Sequence, residues 1–211
     1  MTVLPFSAVW SSALRGEPCT VWGLHALPEL VPLPHWHGHP VAADEALLGH
    51  CVGATIDIGC GPGRLTAHLA REGHTVLGID VVPEAVRQTQ ARGGPAIVRS
   101  VFEALPGEGR WQTALLADGN IGIGGDPAVL LRRTRTLLAP GGRVVADLAP
   151  PGTGVQSQPL RIETATGLSR PFQWALVGAD AAAAVAREAG LSVELLEQYD
   201  DRWFAVLGRG T

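Results

Sequence analysis

The sequence predicts an α/β protein: a doubly wound sheet of seven mostly parallel strands, the last antiparallel, with helices on both faces and an N-terminal segment closing over one end. Three observations predict it. From residue 54 onward, short apolar runs alternate with helix-period segments, the order that builds a parallel sheet covered on both sides. The breaks between them are strong local stops: Gly73, Gly93-Gly94-Pro95, Pro140-Gly141-Gly142 and Gly190. One apolar run, Thr55–Ile58, ends directly in glycines at alternate positions, Gly59, Gly61 and Gly63, followed by a helical pattern. Glycine lets the backbone bend tightly and approach a ligand closely, and the following helix turns its free N–H groups toward that ligand.

The elements follow in order. Asp44–Cys51 is a short helix with Asp44 as its N-cap. Thr55–Ile58 is the first strand of the regular part, and Arg64–Glu72 is the helix that Gly73 closes. Thr75–Asp80 is a strand, and Pro83–Arg92 a helix with proline in its first turn. Ala96–Ser100 and the nearly all-apolar Thr113–Ala117 are strands, the latter buried on both faces. Asp126 caps a helix that runs to Leu138, and Arg143–Leu148 is the next strand. Residues 149–172, rich in Pro, Gly, Ser, Thr and Gln, read as a long irregular loop. Asp180–Ala189 is a helix, and Leu191–Glu197 and Arg202–Leu207 form a closing antiparallel hairpin. The whole of 1–211 reads as one domain: an N-terminal lid over 1–50, a ligand-binding core over 51–150, and an acceptor-side loop with closing strands over 151–211.

Composition excludes several chemistries. The 211 residues carry a net charge of −4, and all sixteen basic residues are arginine. Without lysine there is no Schiff-base enzyme, no pyridoxal phosphate enzyme and no P-loop nucleotide site. A mildly acidic chain without a basic cluster predicts no nucleic-acid partner. No apolar run reaches the ~18 residues a membrane span needs, and the first residues lack a signal-like basic start, so a cytoplasmic location is expected. Cys19, Cys51 and Cys60 show no metal-type pairing.

The turn has the spacing Gly59-x-Gly61-x-Gly63, with Arg64 where a dinucleotide fingerprint would place its last glycine. Asp57-Ile58-Gly59-Cys60-Gly61-Pro62-Gly63-Arg64-Leu65 resembles motif I of the class I S-adenosylmethionine-dependent methyltransferases. The likeness extends over about residues 52–150, through Gly78-Ile79-Asp80, Phe102-Glu103-Ala104-Leu105-Pro106 and the Leu-Ala-Pro-Gly-Gly turn at 138–142. The resemblance implies S-adenosylmethionine as cofactor, held around Asp57, Gly59, Gly61 and Gly63. It implies that Asp80 accepts from the ribose hydroxyls and that Val81 packs on the adenine. Where the family often has an aspartate for the adenine amino group, this chain has Val101, so backbone groups of Val101 and Phe102 take that place. The loop from Asp118 through Gly119 and Asn120 to Asp126 would then lie beside the methionine end and the acceptor. Asp118 is a candidate for the cofactor's ammonium or a substrate proton, and Asn120 offers a donor and an acceptor; local turn bonding is the alternative for both.

Pro34-His35-Trp36-His37-Gly38-His39-Pro40 allows two further readings. Alternate histidines on an extended segment would suit a metal, but prolines and Gly38 predict an irregular loop, so no metal is expected. As part of a lid, the segment would offer a general base, for which His37 is the candidate, and Trp36 as a packing surface. A small-molecule acceptor is expected to meet Arg161, Glu163, Arg170 and Trp174. Two rivals remain: a same-fold enzyme using S-adenosylmethionine without methyl transfer, such as a cyclase or decarboxylase, and a non-catalytic cofactor-binding subunit.

Overall fold

The computed structural model describes residues 2–24 and 27–209. Before the alternating part come β1 (Val3–Leu4), α1 (Phe6–Leu14), β2 (Thr20–Trp22), β3 (Glu29–Leu30), α2 (Leu33–His37) and α3 (Ala42–Leu48). The alternating part comprises β4 (Thr55–Ile58), α4 (Arg64–Arg71), β5 (Val76–Asp80), α5 (Pro83–Ala91), β6 (Ala96–Val98), β7 (Trp111–Leu116), a 3-10 turn (Asn120–Gly122), α6 (Pro127–Leu137) and β8 (Leu138–Leu148). The chain ends in β9 (Val155–Thr164), β10 (Gly167–Ser169), β11 (Phe172–Val177), α7 (Ala182–Glu188), β12 (Ser192–Tyr199) and β13 (Arg202–Gly208).

The main sheet has seven strands in the order β12-β13-β8-β7-β4-β5-β6. β4 to β8 pair in parallel, and β13 runs antiparallel to both β8 and β12. Side chains of alternate residues point to opposite faces, which divides the core. On one face Ile56, Ile58, Ala114 and Leu116 pack with Leu130 and Leu131 of α6 and Ala186 of α7. On the other, Leu115, Val145 and Phe204 pack with Leu47 and Leu48 of α3 and Leu65 and Leu69 of α4. Each such fully buried aliphatic side chain stabilises by roughly 1.5–3 kcal/mol against exposure. β4 pairs with β5 on one side and β7 on the other, so the strand order reverses there. A crevice opens at such a reversal, beyond the carboxyl ends of the strands.

Three expectations need correction. Residues 149–172 are not an irregular loop. β9, β10 and β11 join β1, β2 and β3 in a second, six-stranded sheet of order β1-β10-β9-β2-β3, with β11 paired to β9. The N-terminal lid and the acceptor-side segment are thus strands of one sheet; Val21 pairs with Ile162 and Leu4 with Ser169. Asp44 is not an N-cap: Val41 holds that position, and the fully buried Asp44, two residues into the helix, accepts the Val41 N–H at 2.9 Å. The Pro-Gly-Gly turn does not precede a strand but bulges within one. Trp111 pairs with Leu138 and Thr113 with Arg143, so four residues of β8 loop out, with Gly141 at φ +74°. Asp126 does cap α6, accepting the Val129 N–H at 2.9 Å. Among the described residues no helix is long and apolar enough to cross a membrane.

Candidate active site

A cavity of about 620 Å³ lies beyond the carboxyl ends of β4, β5, β6 and β7, and the second sheet supplies its far wall. The three glycines of the β4–α4 turn all have positive φ, but for different reasons. A Cβ at Gly59 would meet the Asn120 amide nitrogen at 2.7 Å, and one at Gly63 would meet Thr89 of α5 at 2.6 Å. At Gly61 nothing lies within 4 Å, and that backbone faces the cavity. Packing therefore forces the outer two glycines, while the middle one leaves space for a ligand.

The acidic groups at these strand ends differ in their partners. Asp57 is buried, and its Oδ2 accepts from the Thr66 hydroxyl at 2.5 Å. Burial pushes its carboxyl up to about 7, with the nearby Asp118 adding to the shift. Asp80 accepts the Gly61 N–H on Oδ2 at 3.0 Å and the Val82 N–H on Oδ1 at 2.8 Å. Burial raises its carboxyl too, against those bonds. The carboxylate, which the Val81 N–H also approaches, lines the cavity. Val81 and Phe102, 50% and 47% exposed, also line the cavity, and the buried Val101 stands beside Phe102.

The loop after β7 is held from below. Asp118 adopts φ +51° and Gly119 φ +78°. The left-handed region costs a non-glycine residue on the order of 1 kcal/mol, so fixed partners must hold Asp118 there. Its N–H donates to Asp147 Oδ2 at 2.6 Å, and its carboxylate receives both contacts of a forked Arg64 Nη2 bond, at 2.9 and 2.7 Å. Asn120 donates its amide to the carbonyls of Ile58 and Gly59, both at 3.0 Å. Its role in this structure is to tie the β7 loop to the glycine turn.

Sequence reasoning missed the ion network around Asp118. Arg64, almost fully buried, pairs with Asp44 as well as Asp118. Arg202 of β13 pairs with the other Asp44 oxygen at 2.6 Å and with Asp147 at 2.5 Å. Burial acts to raise Asp44, but bonds from Arg64, the Val41 N–H and Arg202 outweigh it and hold the carboxyl below its ordinary value. Asp147 is raised by burial despite Arg202. Arg202 itself is held above its ordinary value by Asp147 and Asp44, against burial. No spacing rule links positions 44, 64, 118, 147 and 202.

The histidine expectation is corrected. Leu33–His37 forms one helical turn, so alternate histidines do not share a face. His37 is not among the cavity-lining residues. Its Nδ1 lies 2.9 Å from the Leu33 carbonyl, and its Nε2 lies 3.2 Å from the Leu14 carbonyl and 3.1 Å from Gln88 Oε1. Whichever nitrogen carries the proton donates to one of these acceptors, and the ring stands outside the cavity. His35 instead approaches Asp44 and Asp118, with possible ligand atoms within 4.8 Å of one another. Arg64 already occupies both carboxylates, so that trio does not make a metal site. Arg161, Glu163 and Arg170 do not line the cavity; Trp174 does.

Residues 55–142 match the family model described as a methyltransferase domain. No curated protein matches the sequence. The fold resembles that of a SAM-dependent methyltransferase from Bacteroides fragilis solved with S-adenosyl-L-homocysteine (TM-score 0.82, 20% identity, covering 100% of this chain and 98% of that one). It also resembles Burkholderia thailandensis 1,6-didemethyltoxoflavin-N1-methyltransferase, solved with 1,6-didemethyltoxoflavin and S-adenosylhomocysteine (TM-score 0.57, 21% identity, 79% and 76% covered). The sugar N-methyltransferase KedS8 from Streptoalloteichus sp. is similar as well (TM-score 0.56, 19% identity, 79% and 85% covered). Residues 55–142 thus carry a methyltransferase domain, within a fold shared with S-adenosylmethionine-dependent methyltransferases of known structure.

Proposed function

We propose that the protein transfers the methyl group of S-adenosylmethionine to a small-molecule acceptor in this cavity. The observation that carries the reading is the open face of Gly61 beside the Asp80 carboxylate at the cavity wall. That pairing suits a ribose: the backbone comes close to the nucleoside while the carboxylate accepts from vicinal hydroxyls. S-Adenosylmethionine supplies an activated methyl; the acceptor's lone pair forms the new bond to carbon as the C–S bond breaks and its electrons return to sulfur.

Val81 and Phe102 flank the adenine, with the backbone at Val101 and Phe102 meeting its edge. Gly59 and Gly63 fix the turn, and Asp57 anchors it through Thr66. Asp118, with Gly119, faces the methionine end. Since Asp118 shares its charge with Arg64, it serves better as an acceptor for an ammonium than as a base. No histidine lines the cavity among the described residues, and the reading assigns no general base. The protein's contribution is alignment and exclusion of water. Neighbours solved with 1,6-didemethyltoxoflavin or named as a sugar N-methyltransferase support a small acceptor.

Calorimetric titration with S-adenosylhomocysteine tests the reading. Binding is expected to the wild type and about tenfold or more weaker to Asp80→Ala. Failure of the wild type to bind, with NAD binding instead, would overturn it. A label carried from the cofactor's methyl into product separates methyl transfer from cyclisation or decarboxylation.

A further inference from the structure

The two halves of the cavity differ in chemistry. The strand-end half carries Asp57, Asp80 and Asp118. The half built by the N-terminal segment and the second sheet is almost entirely ring and aliphatic surface. Five aromatic side chains there form a connected series. Trp36 meets Trp10 edge-on at 5.7 Å between ring centres, Trp10 stacks on Phe6 at 5.8 Å, Phe6 meets Phe172 at 4.7 Å, and Phe172 meets Trp174 edge-on at 6.4 Å. All five line the cavity. They come from α1, α2 and β11, segments far apart in sequence that pack together around the second sheet.

Charge is kept off this wall. Alternation along β9 turns Leu160 and Ile162 to the cavity and Arg161 and Glu163 away, where Glu163 accepts the Trp22 indole N–H at 2.8 Å. Of the cations that border the cavity, Arg64 is committed to Asp44 and Asp118, and Arg99 is exposed at the β6 end. Glu29 and Gln173 are exposed at the rim. An anion moved onto this surface would lose its hydration with no cation to replace it, and a cation would find no buried carboxylate on this wall. A flat neutral ring loses little and gains contact; aromatic pairs contribute about 0.5–1.5 kcal/mol beyond area.

We propose that the methyl acceptor is an uncharged, planar aromatic molecule that lies against this five-ring wall. This rests on the methyl-transfer reading above. The test uses three probes of matched size: naphthol (neutral), naphthoate (anionic) and naphthylmethylammonium (cationic). Each is titrated into protein saturated with S-adenosylhomocysteine, followed by tryptophan fluorescence. Naphthol is expected to bind about tenfold or more tighter than either ion. Trp36→Ala should weaken naphthol about fivefold with unchanged S-adenosylhomocysteine affinity, and Trp36→Phe should restore it. If Trp36→Ala proves unfolded, the wild-type ranking of the three probes decides. Equal or tighter binding of either ion, or no binding of naphthol to the saturated protein, overturns the acceptor class and leaves the methyl-transfer reading standing. Failure of S-adenosylhomocysteine itself to bind overturns both.

Discussion

The two sheets of this protein were built by different kinds of information. In the main sheet each strand announces itself locally, by an apolar run and a glycine or proline stop. In the second sheet, Val21 pairs with Ile162 and Leu4 with Ser169, across most of the chain, and the first half of β9 is Val-Gln-Ser-Gln-Pro. The first sheet presents backbone and carboxylates to one end of the cavity; the second presents rings to the other. On the proposed reading, the part that would handle the cofactor is written in short motifs, and the part that would select the acceptor is written in long-range pairing.

The strongest way to break that division is at Arg64, where the motif turn meets the rest of the molecule. Arg64→Ala leaves the part-buried Asp118 without its forked partner and the fully buried Asp44 with Arg202 alone, and breaking a buried pair costs about 3–5 kcal/mol. Urea unfolding should show that loss, while Arg132→Ala, which removes the exposed Arg132–Glu188 pair, should change little. Equal small effects would mean that the network does not hold the loop.

The seam between the regions comes next. Gly122 sits so close to β11 that a Cβ would overlap the Ala175 carbonyl and stand 2.9 Å from the Trp174 indole nitrogen. Ile123 bridges to Trp174 beside it. Gly122→Ala should cost about 1–3 kcal/mol and displace the ring wall from the loop. With a known acceptor in hand, KM for the acceptor should rise more than the cofactor's dissociation constant. A larger effect on cofactor binding would show that the seam serves the first sheet instead.

Most of the main sheet was legible to within about two residues, with β4 at Thr55–Ile58 and α5 starting at Pro83, but β8 starts at Leu138 rather than Arg143. The glycine turn, Asp80 and Phe102 were legible as a site because their spacing is local. The second sheet left one readable trace, the alternation Leu160-Arg161-Ile162-Glu163-Thr164, whose apolar members are buried. Polar residues before it and Pro159 within it masked the strand. The ion network was illegible because its members are related only by folding. His37 misled because a histidine among prolines carries no sign of which carbonyls its ring will meet.

Acid titration sharpens the comparison within the first sheet. Asp57 is raised to about 7 when folded, from an ordinary value of 3.8. Between those values the folded state holds a proton that the unfolded chain has released. The stability from this group is therefore complete below about pH 4 and is lost as pH rises through about 7. Asp80 and Asp147 are raised too, so Asp57→Asn should flatten the fall without abolishing it. Asp44, held low, acts in the other direction: its contribution is lost as pH falls below the usual carboxylate range. Unfolding free energies from about pH 5 to about pH 8 check the slope. Parallel slopes in wild type and Asp57→Asn would remove Asp57 as its source.

The smallest expected effect falls at His37. Its ring spans the carbonyls of Leu33 and Leu14 and the amide oxygen of Gln88, so it joins α2 to α1 and α5, and hence the ring-bearing segment to the motif core. Substituting alanine removes those bonds where Gln88 still donates to the Leu14 carbonyl at 2.8 Å. A loss of about 1 kcal/mol in stability is expected, the net worth of a partly exposed hydrogen-bonded group. The pH dependence of kcat should keep its shape, because the ring lies outside the cavity and touches no reacting group. A profile that lost a limb near neutral pH in His37→Ala would instead put the imidazole in the chemistry, and the second region would then contribute a catalytic group as well as a surface.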